Sequence, residues 1–334
     1  MKVLIVNQTE VAQWLPMREC LDVMAEAFKM LAAGNTILPL RPIMWLPERA
    51  GALGMMPAYM KDIDSLGLKI LTIFPGNHGT QYDSHQGAVL LFETKHGCLL
   101  ALMDATAITA IRTAAVSGLA TKLLARDEAH DLAILGAGTQ ARTHLEAMLL
   151  VRRIKRVRVW SRSFDHAKKF SEQESQRQSI NVEPMKTARE AVRDADIICT
   201  TTATTEPVIL GDWIKAGAHI NAVGACTPMA RELDTAAMLK SRLFVDRRES
   251  ALSEAGDFII PRKEGVFDET HIRGELGEIL LGQIQGRISS EEITLFKSLG
   301  LAIEDLASAH RIYQKMSEKG AGVWFELGGS RGDA

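Results

Sequence analysis

Residues 131–163 read DLAILGAGTQARTHLEAMLLVRRIKRVRVWSRS. DLAIL is a short apolar run closed by glycine, which suits a buried strand. The residues from Thr139 to Val151 carry a helical pattern, and RVRVW reads as a second strand. Where the first strand meets the helix stands Gly136-Ala137-Gly138-Thr139-Gln140-Ala141, a GxGxxA pattern in the context that gives it meaning. Gly136 allows the tight turn, Gly138 lets backbone approach a pyrophosphate, and Ala141 permits close packing of helix on strand. The helix N-terminus, with Thr139 and Gln140, offers N–H groups and a partial positive charge to phosphate. An ordinary βα turn can need the same glycines; the flanking strands and helix favour a dinucleotide site.

The second strand ends Val159-Trp160-Ser161-Arg162-Ser163. A site selective for NAD places Asp or Glu there to hold the ribose 2′-hydroxyl. Here an arginine between two hydroxyls can instead receive a 2′-phosphate through charge-assisted hydrogen bonds. Ser161, Arg162 and Ser163 therefore point to NADPH, with NADH the less favoured cofactor; a solvated loop arginine is the competing reading.

Outward from this unit the alternation continues through a helix from Phe164 and the strand-like runs INVEPM, DIICTTT, AHINAVG and RLFVD. Repeated βα units imply a parallel sheet covered on both faces, an α/β fold. Upstream, DATAITAIRTAAVSGLATKLLA, residues 104–125, reads as a long helix leaving a first domain. The amino-terminal third reads as irregular: Pro39, Pro42, Pro47, Pro57 and Pro75 punctuate strand-like segments such as LKILTIF and GAVLLFET. Downstream, Ile293 to Leu327 reads as helical and amphipathic. The Arg331-Gly332-Asp333 triplet in the tail resembles an adhesion motif, which chance explains better in a cytosolic chain. No internal repeat is evident.

Composition narrows the partners. A formal net charge of -2 gives no electrostatic reason to expect nucleic acid or an anionic membrane, and 46% hydrophobic residues fit a globular chain that acts on small molecules. The opening MKVLIVNQTE has too short an apolar run for a signal segment, and no later stretch approaches the ~18 apolar residues of a membrane span. The expectation is a cytoplasmic protein. Cys20, Cys98, Cys199 and Cys226 form no CxxC pair, and the nine histidines show no metal-ligand spacing, so neither disulfide nor metal is expected.

Five blocks carry a resemblance: DATAITAIRTAAVSGLAT from Asp104, GAGTQA from Gly136, TTEPVI from Thr204, VGACTPMARELD from Val223, and ELGEILLGQIQGRISSEEITLFKSLGLAIEDLA from Glu275. Together they resemble the ornithine cyclodeaminase and mu-crystallin family. The resemblance implies a homodimer in which a central Rossmann domain, residues 119–295, interrupts an α+β substrate-binding and dimerisation domain made of residues 1–118 and 296–334. It also implies that Arg41, Lys69 and Arg112 bind substrate. Two guanidinium groups can clamp an amino-acid carboxylate, while a desolvated Lys69 with a depressed pKa can exchange a proton with substrate nitrogen. His85, Thr113, Thr201, Thr202 and Ala203, with Val223 and Ala225 on the glycine bend, match positions lining the cofactor.

Cys226 decides among activities. Cyclodeaminases of this family carry Asp at that position, where a carboxylate can act as base towards the substrate amine. A thiol, with a reference pKa near ~8.5, is a poor substitute. Members resembling mu-crystallin also lack the acid and reduce cyclic ketimine acids. The expected activity is thus NADPH-dependent reduction of 1-pyrroline-2-carboxylate or 1-piperideine-2-carboxylate, with Lys69 and Arg112 catalytic and Cys226 shaping the pocket. Ornithine cyclodeamination, alanine or opine-type dehydrogenation, and a non-catalytic NADPH-dependent binding role remain the alternatives.

Overall fold

The βα alternation around residues 131–163 builds a sheet of eight parallel strands. Its order is Val182–Met185, Arg156–Trp160, Asp131–Leu135, Ile197–Thr200, His219–Ala222, Ile293–Lys297, Ser241–Val245 and Ile272–Glu275. The chain enters at Asp131–Leu135, winds outward to one edge, and returns to build the other half from Ile197–Thr200. Between those two strands the direction of winding reverses. In an open α/β sheet, ligands bind in the crevice that opens there, beyond the carboxyl ends of the strands.

The computed structural model describes residues 2–77 and 79–328, so the Arg331-Gly332-Asp333 triplet lies outside the described residues. The chain divides into one unit of residues 1–112 with 301–334 and a second of residues 113–300. The sequence places these boundaries at 118/119 and 295/296. The first falls inside the unbroken helix Ala105–Leu124, which runs through Ser117 and Gly118 without a break.

Central strands of the second unit are buried on both faces, including their polar residues Thr200, His219, Asn221, Thr294 and Lys297. This explains one correction. Ile293–Lys297, expected to be helical, is a fully buried strand; the helix is Ala302–Glu318, and Val323–Glu326 is again a strand. Five residues buried at every position, Thr294 and Lys297 among them, show no period that distinguishes helix from strand.

The first unit is a mostly antiparallel sheet in the order Val323–Glu326, Lys2–Val6, Leu99–Asp104, His85–Phe92, Ser65–Ile73, Ala52–Met60 and Thr36–Ile37, with Ile43–Trp45 also paired to Ala52–Met60. Helix Ala302–Glu318 packs on its three long strands and on helix Met17–Ala32. The latter is a regular element in the amino-terminal third that reads as irregular from sequence. It buries Met17, Cys20, Leu21, Met24, Ala27 and Phe28, the spacing of one helical face.

Helix Ala105–Leu124 also amends the reading of the chain as free of long apolar stretches. It is long and apolar enough to cross a membrane, yet 78% of it is buried inside the fold, the condition of a core helix.

Candidate active site

Lys69 lies on the middle strand Ser65–Ile73, whose alternation turns Ser65, Gly67 and Lys69 to the buried face. Its ammonium donates to Thr109 Oγ1 at 2.6 Å and to Asp305 Oδ1 at 3.1 Å. Thr109 and Arg112 are three residues apart on helix Ala105–Leu124 and so share a face. Arg112 donates through Nε to the same Asp305 oxygen at 3.1 Å and through Nη1 to Glu304 Oε2 at 2.5 Å. Asp305 therefore bridges the two cations with one oxygen. Its other oxygen, Oδ2, is buried and accepts no hydrogen bond among the described residues, as expected of a group that meets a ligand's donor.

Burial is the largest influence on Lys69, lowering its pKa to about 8; Arg112 and Arg41 lower it further, against the opposing pull of Asp305. A buried ammonium close to its titration point can give up a proton near neutral pH. For Arg112 burial also favours the neutral form, but Asp305 and Glu304 more than offset it, and its pKa is raised. Arg112 is a permanent cation here.

The structure brings Arg41, Lys69 and Arg112 into one electrostatic neighbourhood. His85 belongs to it as well. It opens strand His85–Phe92, and its pKa is lowered by desolvation and by the charge of Lys69. Ser84 Oγ lies 3.1 Å from its Nδ1. Thr113 is buried on the same helix as Arg112 but falls in the second unit. Sequence alone does not single out Glu304 and Asp305. The signal is two adjacent acids in the otherwise apolar start LGLAIEDLA, in a first helical turn where the dipole favours negative charge.

In the second unit the glycine turn follows strand Asp131–Leu135 at the point of winding reversal. Gly136 has φ +120°, and a Cβ there would lie 2.5 Å from Thr201 Oγ1 and 2.8 Å from Thr201 O. Only glycine lets the turn approach the next loop this closely. Gly138 is the N-cap of helix Thr139–Val151 with no side-chain cap, and space around its Cβ position is open. An uncapped helix N-terminus beside open space fits an anionic phosphate. Ala137 and Gln140 are partly buried and Thr139 is exposed on this turn.

Of the residues ending the second strand, Arg162 is exposed and Ser161 half-buried. Ser163 caps helix Phe164–Gln178 by accepting from the His166 N–H. Thr201 donates its N–H to Leu135 O at 2.8 Å, while Val223 donates to Thr200 O at 3.0 Å. Thr202 is half-buried and Ala203 exposed. Val223 and Ala225 are buried, which leaves the bend's backbone rather than these side chains to meet a ligand. The Cys226 thiol closes the bend by donating to Val223 O at 3.3 Å.

Behind these loops lies a buried charge relay that the sequence does not announce. Glu232 accepts from Thr200 Oγ1, Thr202 N, Thr202 Oγ1 and Gly224 N at 2.6–2.7 Å. Asp257 accepts from the Glu232 and Leu233 N–H groups and pairs with Lys297 at 2.9 Å. All three side chains are fully buried. Burial alone would lower the Lys297 pKa; Asp257, then Cys226 and Glu232, more than offset it, and the pKa is raised.

A model of the ornithine cyclodeaminase/mu-crystallin family matches residues 1–320. The chain belongs to that family. Among family members, the ketimine reductase mu-crystallin of Mus musculus is 43% identical over 284 residues, 85% of this chain and 87% of its own length. The Δ1-pyrroline-2-carboxylate reductase of Thermococcus litoralis, solved in complex with NADH and L-proline, is 42% identical with a TM-score of 0.94, covering 96% of this chain and 99% of its own. An archaeal alanine dehydrogenase dimer with bound NAD is 34% identical with a TM-score of 0.92, covering 98% of this chain and 100% of its own.

Proposed function

We propose that this family member reduces a cyclic ketimine carboxylate, 1-pyrroline-2-carboxylate or 1-piperideine-2-carboxylate, to the cyclic amino acid, using NADPH. The observation that carries the reading is Lys69, a buried ammonium with its pKa lowered to about 8, tied to Asp305 beside the permanent cation Arg112. Such a group holds a transferable proton next to a carboxylate-binding charge. The similarity to reductases of cyclic imines supports the choice of substrate class.

The glycine turn and the uncapped helix N-terminus fit a nicotinamide dinucleotide, with Gly136, Gly138, Thr139 and Gln140 around its phosphates. When bound, that cofactor supplies the hydride accepted by the imine carbon. Arg112, whose Nε and Nη1 are engaged by Asp305 and Glu304, offers Nη2 to the substrate carboxylate, and Arg41 adds a second positive charge. Lys69 delivers a proton to the ring nitrogen and regains one from solvent. Asp305 Oδ2 accepts the resulting N–H. No carboxylate base is required, because the nitrogen gains a proton, and Cys226 shapes the pocket.

Exposed Arg162, beside Ser161 and Ser163, supports NADPH over NADH. The working assembly is a homodimer, supported by the dimeric archaeal relative. A panel of five- and six-membered cyclic ketimine acids, monitored by NADPH absorbance, tests the function. Consumption with at least one of them is expected; consumption only with pyruvate and ammonia would instead assign an alanine dehydrogenase.

A further inference from the structure

We infer that Glu232 is a positioning residue that shapes the nicotinamide half of the dinucleotide site, an inference that rests on the dinucleotide reading above. A Rossmann sheet holds one mononucleotide over each of its halves, with the pyrophosphate at the reversal between them. Ser161–Ser163 end a strand on one side of that reversal; Thr200–Thr202 and Val223–Gly224 follow adjacent strands on the other. Glu232 ties these last two loops together, one carboxylate oxygen to Thr202 and the other to Thr200 and Gly224.

The fit is tight. A Cβ at Gly224 would sit 2.0 Å from Thr202 O and 2.6 Å from Glu232 Oε1, so the loops meet through the carboxylate with no room for another side chain. One backbone N–H, from Thr202 or Gly224, meets each oxygen, so an amide in this place would turn its NH2 toward an N–H donor. The carboxylate is in turn fixed by the Asp257 hydrogen bonds to the Glu232 and Leu233 N–H groups, and Asp257 by Lys297. Glu232 is fully buried, so it acts through the loops rather than by touching a ligand.

The test is Glu232→Gln, with binding measured by calorimetry for NADPH and NADH and for their nicotinamide-free counterparts, 2′-phospho-ADP-ribose and ADP-ribose. The variant is expected to bind the preferred intact dinucleotide about tenfold or more weakly, with its nicotinamide-free counterpart bound as by the unmodified chain. Should Glu232→Gln not fold, Thr200→Val removes one donor from a buried strand position at nearly constant shape, and a smaller selective loss of the same kind is expected. Equal losses for intact and truncated ligands, or none for either, would overturn the inference while leaving the dinucleotide reading intact. If the unmodified chain binds none of the four ligands, both fall.

Discussion

With its pKa lowered to about 8, Lys69 loses its proton just above neutrality, so proposed proton delivery fails as pH rises through that value. The kcat/KM profile should therefore fall on its alkaline side near pH 8. Asp305 favours the ammonium form, and removing its charge lowers the Lys69 pKa further. Asp305→Asn should thus move the alkaline limb to lower pH as well as reduce the rate. An unmoved limb would assign the titration to the substrate instead. At the cofactor's other end, Arg162→Ala should weaken NADPH use by about tenfold or more and leave NADH use unchanged, as measured by kcat/KM for each. Cys226→Ser should retain most reductase activity; a large loss would give the thiol a chemical part. Lys69, Arg41 and Arg112 are legible in sequence only through family blocks, because a lone cation looks the same on a surface as in a site. Asp305 and Glu232 are harder to see, since what marks them is burial among donors that lie far away along the chain.

Among the elements, the βα alternation is legible because each buried parallel strand is a short apolar run between turn residues, and the helices Thr139–Val151 and Phe164–Gln178 begin where their patterns do. Ile293–Lys297 defeats that reasoning because it has no period, and Met17–Ala32 is obscured by the prolines that follow it. The loops after Ile197–Thr200 and His219–Ala222 depend on the relay beneath them. Lys297→Met leaves the Asp257 carboxylate buried without its cation, and breaking such a pair costs about 3–5 kcal/mol. A clear fall in the urea midpoint is expected for this variant. A midpoint equal to that of the unmodified chain would mean that Asp257 is neutral or otherwise compensated.

For the whole molecule, the proposed homodimer predicts a sedimentation mass twice the 36.6 kDa of the chain. The first unit exposes Ile37, Met44 and Trp45 at 66%, 54% and 47% on the two short strands that pair with Ala52–Met60. A monomer at micromolar concentration would remove that assembly. Reduction at a C=N bond is read from where the hydride goes. The chain is incubated with 1-pyrroline-2-carboxylate or 1-piperideine-2-carboxylate and NADPH deuterated at both C4 positions, and the amino acid is read by mass spectrometry. One deuterium at the α-carbon per NADPH oxidised is expected, with little ammonia from ornithine and catalytic NAD. No label in any cyclic product, together with conversion of ornithine to proline and ammonia, would contradict it.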